Sequence, residues 1–341
     1  MLEEKIKKII NSLKSFFNSP KEIIKFILPI VLIIVLLFPM PYYIKLGGGT
    51  IEIDSKIKIE NETKSKGSFN ALYVSEIKGN VILYLLSYVV PSFERVEKEK
   101  VALENETSKD YDYREKMYFT SSSDIATKVA YEKAMKEVKV KNISFVVLYI
   151  DKKAKTELEV KDKILKIDDK SIKDYQDIVD IIGSKKKNDK VSILVERDKK
   201  IVKTYSKIIE IDKKPKLGVV ISNLVNYDTD PKISFDFEKS QTGPSGGLVL
   251  ALSIYNKLVD EDITKGKTVM GTGTIDYSGN IGAVGGIKHK LRGAYKNKAD
   301  IVLVPEENYK EALKEKKAND YKFALIKIKT FDDAVEKLRN F

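Results

Sequence analysis

A serine on a glycine-rich turn and a lysine in a half-apolar setting are the residues of this chain best suited to chemistry. The run Thr242-Gly-Pro-Ser-Gly-Gly247 leads into Leu248, Val249, Leu252, Tyr255, Leu258 and Val259 at helical spacing, which places Ser245 at a helix N-terminus. Unpaired amides and the positive end of the helix dipole gather at such a terminus and stabilise an alkoxide or a tetrahedral oxyanion. Gly243 and Gly246 permit close backbone approach there, so their N–H groups are the candidate oxyanion donors. The second run, Gly285-Gly-Ile-Lys-His-Lys290, opens another helix on which Ile287, Leu291, Ala294 and Lys298 share a side. Lys290 lies about 40° from that side and Lys288 about 60°. A lysine held against apolar surface loses stability in its charged form and can act as a general base near neutral pH. Taken singly, each run also has an ordinary reading: a strand-to-helix turn with a serine cap, and a solvated lysine.

Composition limits the alternatives. The 341 residues suffice for two compact domains with extra segments, and a 43% hydrophobic content suffices for their cores. Cysteine is absent, which removes disulfides, thiolate nucleophiles and cysteine metal sites. One histidine, His289, excludes a multi-histidine zinc centre, so no metal or cofactor is expected. His289 neighbours Lys290 and points about 100° away from it on a helix, which makes a Ser-His mechanism the minor alternative. The net charge of +12 mixes lysines with 50 acidic residues, a solvated surface rather than a nucleic-acid site.

Several elements must deliver the pair to its substrate. Leu2 to Phe17 alternates apolar and lysine positions at helical spacing, an amphipathic leader over 1–22 expected to lie on an anionic membrane face. Phe26 to Ile44 carries no charge until Lys45, and a transmembrane helix is expected over 23–44 with Tyr42 and Tyr43 as its aromatic belt. Six lysines from Lys5 to Lys25 keep the N-terminus cytoplasmic by the positive-inside rule, leaving the remaining chain extracellular. A membrane-proximal α/β segment comes next over 45–140. It holds alternating strands near 50–60, a charged surface stretch over 98–116, and a helix over 121–138 capped by Ser123 or Asp124. A β-rich module then occupies 141–213, before the region 214–341 that holds Ser245 and Lys290. Gly266-Lys267-Thr268 mimics the end of a phosphate-binding loop, but Glu261 stands where that loop needs glycine.

The stretch from Leu158 to Ile172 resembles the strand and Asp-Gly turn of bacterial PDZ domains. Lys161 and Asp169 stand where those domains carry glycine, and no clear glycine-rich carboxylate-binding loop is found. Four ordered blocks resemble the proteolytic domain of the Lon protease family, the serine-lysine dyad peptidases: Gly243-Pro-Ser-Gly-Gly, Gly271-Thr-Gly-Thr-Ile-Asp, Gly279 to Lys290, and Ala299 to Asn308. The resemblance implies Ser245 as nucleophile, Lys290 as base and Thr272 as the hydrogen-bond partner of the lysine. Thr242 departs from it, since energy-dependent Lon enzymes usually carry aspartate there. The whole chain looks like the membrane-anchored, PDZ-containing Lon-like proteases. That implies an α+β chain with a transmembrane helix, a PDZ-like module and a C-terminal Lon-type α/β domain. It also implies ATP-independent endopeptidase activity on extracellular peptides or proteins, with a lipid bilayer as partner. Lon-type domains commonly form rings, which leaves a homo-oligomer open. The competing expectation is a catalytically silent membrane scaffold whose PDZ-like module binds partners.

Overall fold

The computed structural model describes residues 4–8, 20–238 and 241–341, which fall into two compact units. Residues 4–8 are helical; most of the leader expected over 1–22 lies outside the described residues.

The smaller unit joins the N-terminal region to 76–101. Its helix Pro20–Leu37 is followed by a three-stranded antiparallel sheet with Pro39–Lys45 in the centre, flanked by Glu76–Asn80 and Glu94–Glu97. This corrects the helix expected over 23–44. Pro39 and Pro41 cannot donate to a helical ladder and push the residues before them toward extended backbone, so the helix stops at Leu37. Tyr43 and Ile44 are buried in the sheet instead of facing an interface. The uncharged part of the helix, Phe26–Leu37, rises only about 18 Å, against roughly 30 Å of hydrocarbon. No helix among the described residues is long and apolar enough to cross a membrane.

The larger unit is built on a mixed five-stranded sheet in the order Gly49–Glu52, Ser68–Tyr73, Thr268–Gly271, Ile301–Pro305, Ala324–Ile328; all neighbours are parallel except the first pair. Side chains alternate across it. Phe69, Val269, Ile301 and Leu303 join a core with the helices Ser108–Lys133, Gly247–Leu258 and Phe331–Arg339. Leu72, Met270, Val302 and Val304 join a second core under the helices Ile287–Lys296 and Glu306–Ala318. Two strands from 47–75 and the helix Ser108–Lys133 thus belong to the same layered fold as the C-terminal region. The stretch 45–140 is not one segment: 47–75 and 102–140 pack here, and 76–101 lies in the smaller unit.

The long helix starts at Ser108, where the Thr107 hydroxyl accepts the Asp110 N–H, rather than at Ser123 or Asp124. Its charged first half looks like surface in the sequence because lysine and acidic residues mask its helical pattern. From this helix the chain enters a β-rich module with its own core around Phe145, Ile164, Ile167, Ile178, Val191, Ile193 and Leu217. It returns on the 12-residue strand Val219–Asp230, paired antiparallel to Glu137–Ile150 along its length. Both strands belong to the module's own seven-stranded sheet, so the module lies in the chain between this helix and the later elements of the layered fold. At its two departures from the PDZ pattern the backbone still takes the left-handed region, with φ +83° at Lys161 and +62° at Asp169. Non-glycine residues bear that strain here at a cost of about 1–2 kcal/mol each.

Asp124 joins the inserted strand to the long helix by accepting the Val225 N–H at 2.9 Å. Burial beside Tyr227 and Tyr277 pushes its carboxyl up to about 7, and the Val225 hydrogen bond offsets only part of this. The folded carboxyl is thus raised above its unfolded value, so the folded state holds a proton between about pH 4 and pH 7 that the unfolded chain has lost. Stability falls as pH rises through that window, and the penalty is complete above about 7. Asp124→Asn keeps the acceptor and removes the charge. Its melting temperature is expected to match wild type near pH 4 and to exceed it increasingly up to pH 8, with a gain of at most about 4 kcal/mol.

Candidate active site

The central strand Thr268–Gly271 leads into Thr272, where the turn that carries Ser245 and the helix that carries Lys290 meet it, at the carboxyl ends of the parallel strands. Ser245 is half-buried, one residue before Gly246, the N-cap of the helix Gly247–Leu258. Two bonds hold its carbonyl: Gly273 N–H donates to it at 2.8 Å, and the Thr272 hydroxyl donates at 3.0 Å. Lys290 Nζ in turn donates to Thr272 Oγ1 at 2.8 Å. Lys290 is 4% exposed and Thr272 fully buried, so this link between lysine and serine backbone is dry. Lys288 is exposed, and His289 is buried with its carbonyl packed against Gly48. The structure therefore joins Lys290 and Thr272 to the Ser245 carbonyl and leaves Lys288 exposed.

The long helix supplies a second wall that sequence reasoning misses. Ser122 Oγ donates to the Pro244 carbonyl at 3.2 Å, and Gly243 N–H donates to the Glu115 carbonyl at 3.0 Å. That second bond corrects one expectation: the Gly243 amide holds the turn and is not directed at an oxyanion, which leaves Gly246 as the candidate among the two glycines. Gly247 must be glycine, since a Cβ there would lie 2.6 Å from Ser122 Oγ and 2.8 Å from Ile275 Cγ2.

Behind Glu115 stands a buried ion network. Arg114 donates through Nε and Nη2 to the two oxygens of Glu106 at 2.8 and 3.1 Å, and through Nη1 to Glu115 at 2.9 Å. Its guanidinium also lies 5.2 Å from the Tyr111 ring centroid and 5.4 Å from that of Tyr118. Burial opposes the charge on Arg114, but Glu106 and Glu115 outweigh it and hold the group above its ordinary value. The available signal was compositional: arginine is rare in this lysine-rich chain, and its planar fork suits bidentate pairing. Gln241, four residues before Ser245, has a buried Oε1 without a hydrogen-bond partner among the described residues. Tyr118, Ser121, Ser122, Ile125, Pro244 and Ile275 line a mainly apolar cavity of about 200 Å³ beside the serine turn.

Residues 238–339 match the Lon protease (S16) C-terminal proteolytic domain, and 117–208 match a PDZ domain. The Lon protease of Campylobacter jejuni is 31% identical over 148 residues, covering 43% of this chain and 17% of that protein. The Lon protease of Mesomycoplasma hyopneumoniae is 31% identical over 104 residues, covering 27% and 12%. Lon protease 2 of Bacillus subtilis is 29% identical over 111 residues, covering 33% and 19%. The chain thus spans less than a fifth of the length of these relatives. Among solved structures, the PDZ domain of an SdrC-like protein from Listeria innocua is 30% identical, covering 23% of this chain and 92% of that one, with a TM-score of 0.22. In a mixed α+β architecture this chain thus carries a region that matches the Lon proteolytic domain and a region that matches a PDZ domain. The PDZ match begins at 117, inside the long helix, ahead of the boundary expected at 141.

Proposed function

We propose that this protein is an ATP-independent serine endopeptidase working by a Ser245–Lys290 dyad. The observation that carries the reading is the dry link from Lys290 through Thr272 to Ser245. Burial disfavours an ammonium, so the Lys290 amine takes the proton of the Ser245 hydroxyl as that oxygen attacks a peptide carbonyl. Thr272 fixes the amine and the serine backbone together. The amides of the helix N-terminus at Gly246 and beyond stabilise the oxyanion, and the protonated lysine then supplies the leaving amine with its proton. Water releases the acyl-enzyme. The cavity behind Pro244 accepts an apolar side chain of the substrate, and the PDZ module selects or delivers the polypeptide.

The helix Pro20–Leu37 attaches the protein to a membrane. Phe26, Leu28, Ile34, Leu37 and their neighbours are exposed around its circumference, a distribution that water does not support and lipid does. The test is cleavage of an unfolded protein by the full chain without ATP. Ser245→Ala is expected to abolish it with an unchanged melting temperature. Cleavage that survives in Ser245→Ala ends the dyad reading, and no cleavage in the parent ends it in favour of the silent scaffold.

A further inference from the structure

The short helix Val81–Leu86 and the turn after it carry apolar residues that their unit leaves uncovered: Leu85, Tyr88 and Val89 are 53%, 63% and 73% exposed, and Ile82 and Leu86 are also exposed. A helix of this length does not persist alone. It is held by Asn80, whose Oδ1 accepts the Leu83 N–H at 2.9 Å, and by the Val81 N–H, which donates to the Phe38 carbonyl at 3.2 Å. Phe38 directly follows the exposed apolar helix Pro20–Leu37, so the two apolar surfaces join at its end. Tyr42, Tyr84 and Tyr88 form a run of rings at this junction, with centroids 5.7 and 5.5 Å apart and the hydroxyls of Tyr84 and Tyr88 at 2.9 Å. The exposed Arg95 guanidinium lies 4.1 Å over the Tyr88 ring and 5.1 Å over Tyr84.

Tyrosine rings with polar tips, and an arginine with an apolar stem, settle at the headgroup level of a bilayer; the aliphatic side chains beside them settle just below it. We propose that Val81–Val89 is a second membrane contact. It lies in the lipid surface beside the end of the apolar helix, with Arg95 placed to meet lipid phosphate. The inference rests on the membrane attachment proposed above and deepens it. A helix whose uncharged part rises about 18 Å does not reach across the hydrocarbon layer, and binding to a lipid surface strengthens with the apolar area buried in it, which a second contact adds. A lipid surface is favoured over a protein partner because the patch is continuous with an apolar helix exposed on all sides and is rimmed by tyrosines and arginine.

Because the chain has no cysteine, single-cysteine variants report cleanly. The full chain is reconstituted into phosphatidylcholine/phosphatidylglycerol vesicles with a nitrobenzoxadiazole probe at Leu85→Cys, Val89→Cys, Ile30→Cys or Met135→Cys. Met135 is highly exposed and lies in the larger unit. Probes at 85 and 89 are expected to shift to the blue and to be quenched by lipids brominated near the headgroup. The probe at 30 is expected to be quenched by deeper bromines, and the probe at 135 not at all. Quenching at 30 without quenching at 85 and 89 overturns the second contact and keeps the attachment. A blue shift at 85 and 89 without lipid quenching means a protein surface covers the patch, and also overturns it. Quenching at 85 and 89 with a water-exposed probe at 30 keeps the contact and removes the inserted helix. Water exposure at all three removes both. Leu85→Ser/Val89→Ser, which changes no residue assigned to the catalytic site, should lower the vesicle-bound fraction several-fold and leave cleavage of a soluble substrate unchanged.

Discussion

Replacing Lys290 by methionine should lower kcat/KM on an unfolded protein substrate by about 10²–10⁴-fold, the range a positioned general base contributes. The loss should fall on kcat, because the lysine acts on the reacting hydroxyl and not on substrate binding. Methionine fills a similar volume in the same buried space and removes a buried amine, so the melting temperature should hold. The Thr272 hydroxyl keeps its bond to the Ser245 carbonyl in this variant, so the turn is still anchored. Lys290→Arg is the sharper test. Guanidinium does not deprotonate in proteins, and a residue that served only as a donor to Thr272 would tolerate the exchange. Near-wild-type activity in Lys290→Arg would refute the base role. Lys288→Met, on the exposed side of the same helix, should stay within about twofold.

The second large effect is on stability. Arg114→Met removes the partner of Glu106, whose side chain is fully buried, and leaves an uncompensated charge; such losses cost about 3–5 kcal/mol. Urea denaturation measures it. Adding Glu106→Gln should recover much of the loss, because the amide oxygen still accepts the Leu103 N–H while the charge is gone. If the double variant is no more stable than Arg114→Met alone, the ion pair is not the source of the loss. Activity should fall in the single variant and return with stability in the double, since the Glu115 carbonyl that holds Gly243 sits next to Arg114 in the chain.

Much of this was readable along the chain. The choice of Lys290 over Lys288 rests on its position beside the apolar side of a ten-residue helix, a local property that survives into the fold. Ser245 at a helix start rests on the glycine turn and the apolar run behind it. The N-terminal apolar helix was only half-readable: the apolar run continues smoothly to Ile44, but Pro39 and Pro41 decide where the helix stops. Pairing with Glu76–Asn80 and Glu94–Glu97 then makes residues 39–45 a strand. The segment from 98 to 116 has the look of solvated surface because charge density normally marks it. Only the fold shows that Arg114 and Glu106 neutralise each other in its interior.

By itself the sequence determined the local matters, namely which residues begin helices, which lysine faces apolar surface, and which turn needs glycine. The tertiary structure alone decided that Thr272, beside its bond from Lys290, also holds the Ser245 carbonyl, that Glu115 takes the Gly243 amide, and that the PDZ module interrupts the layered fold. The reason is physical. Spacing sets contacts within one helix or turn, whereas these bonds join residues 18, 27 and more than a hundred positions apart, and only the order of strands in the sheet brings them within reach.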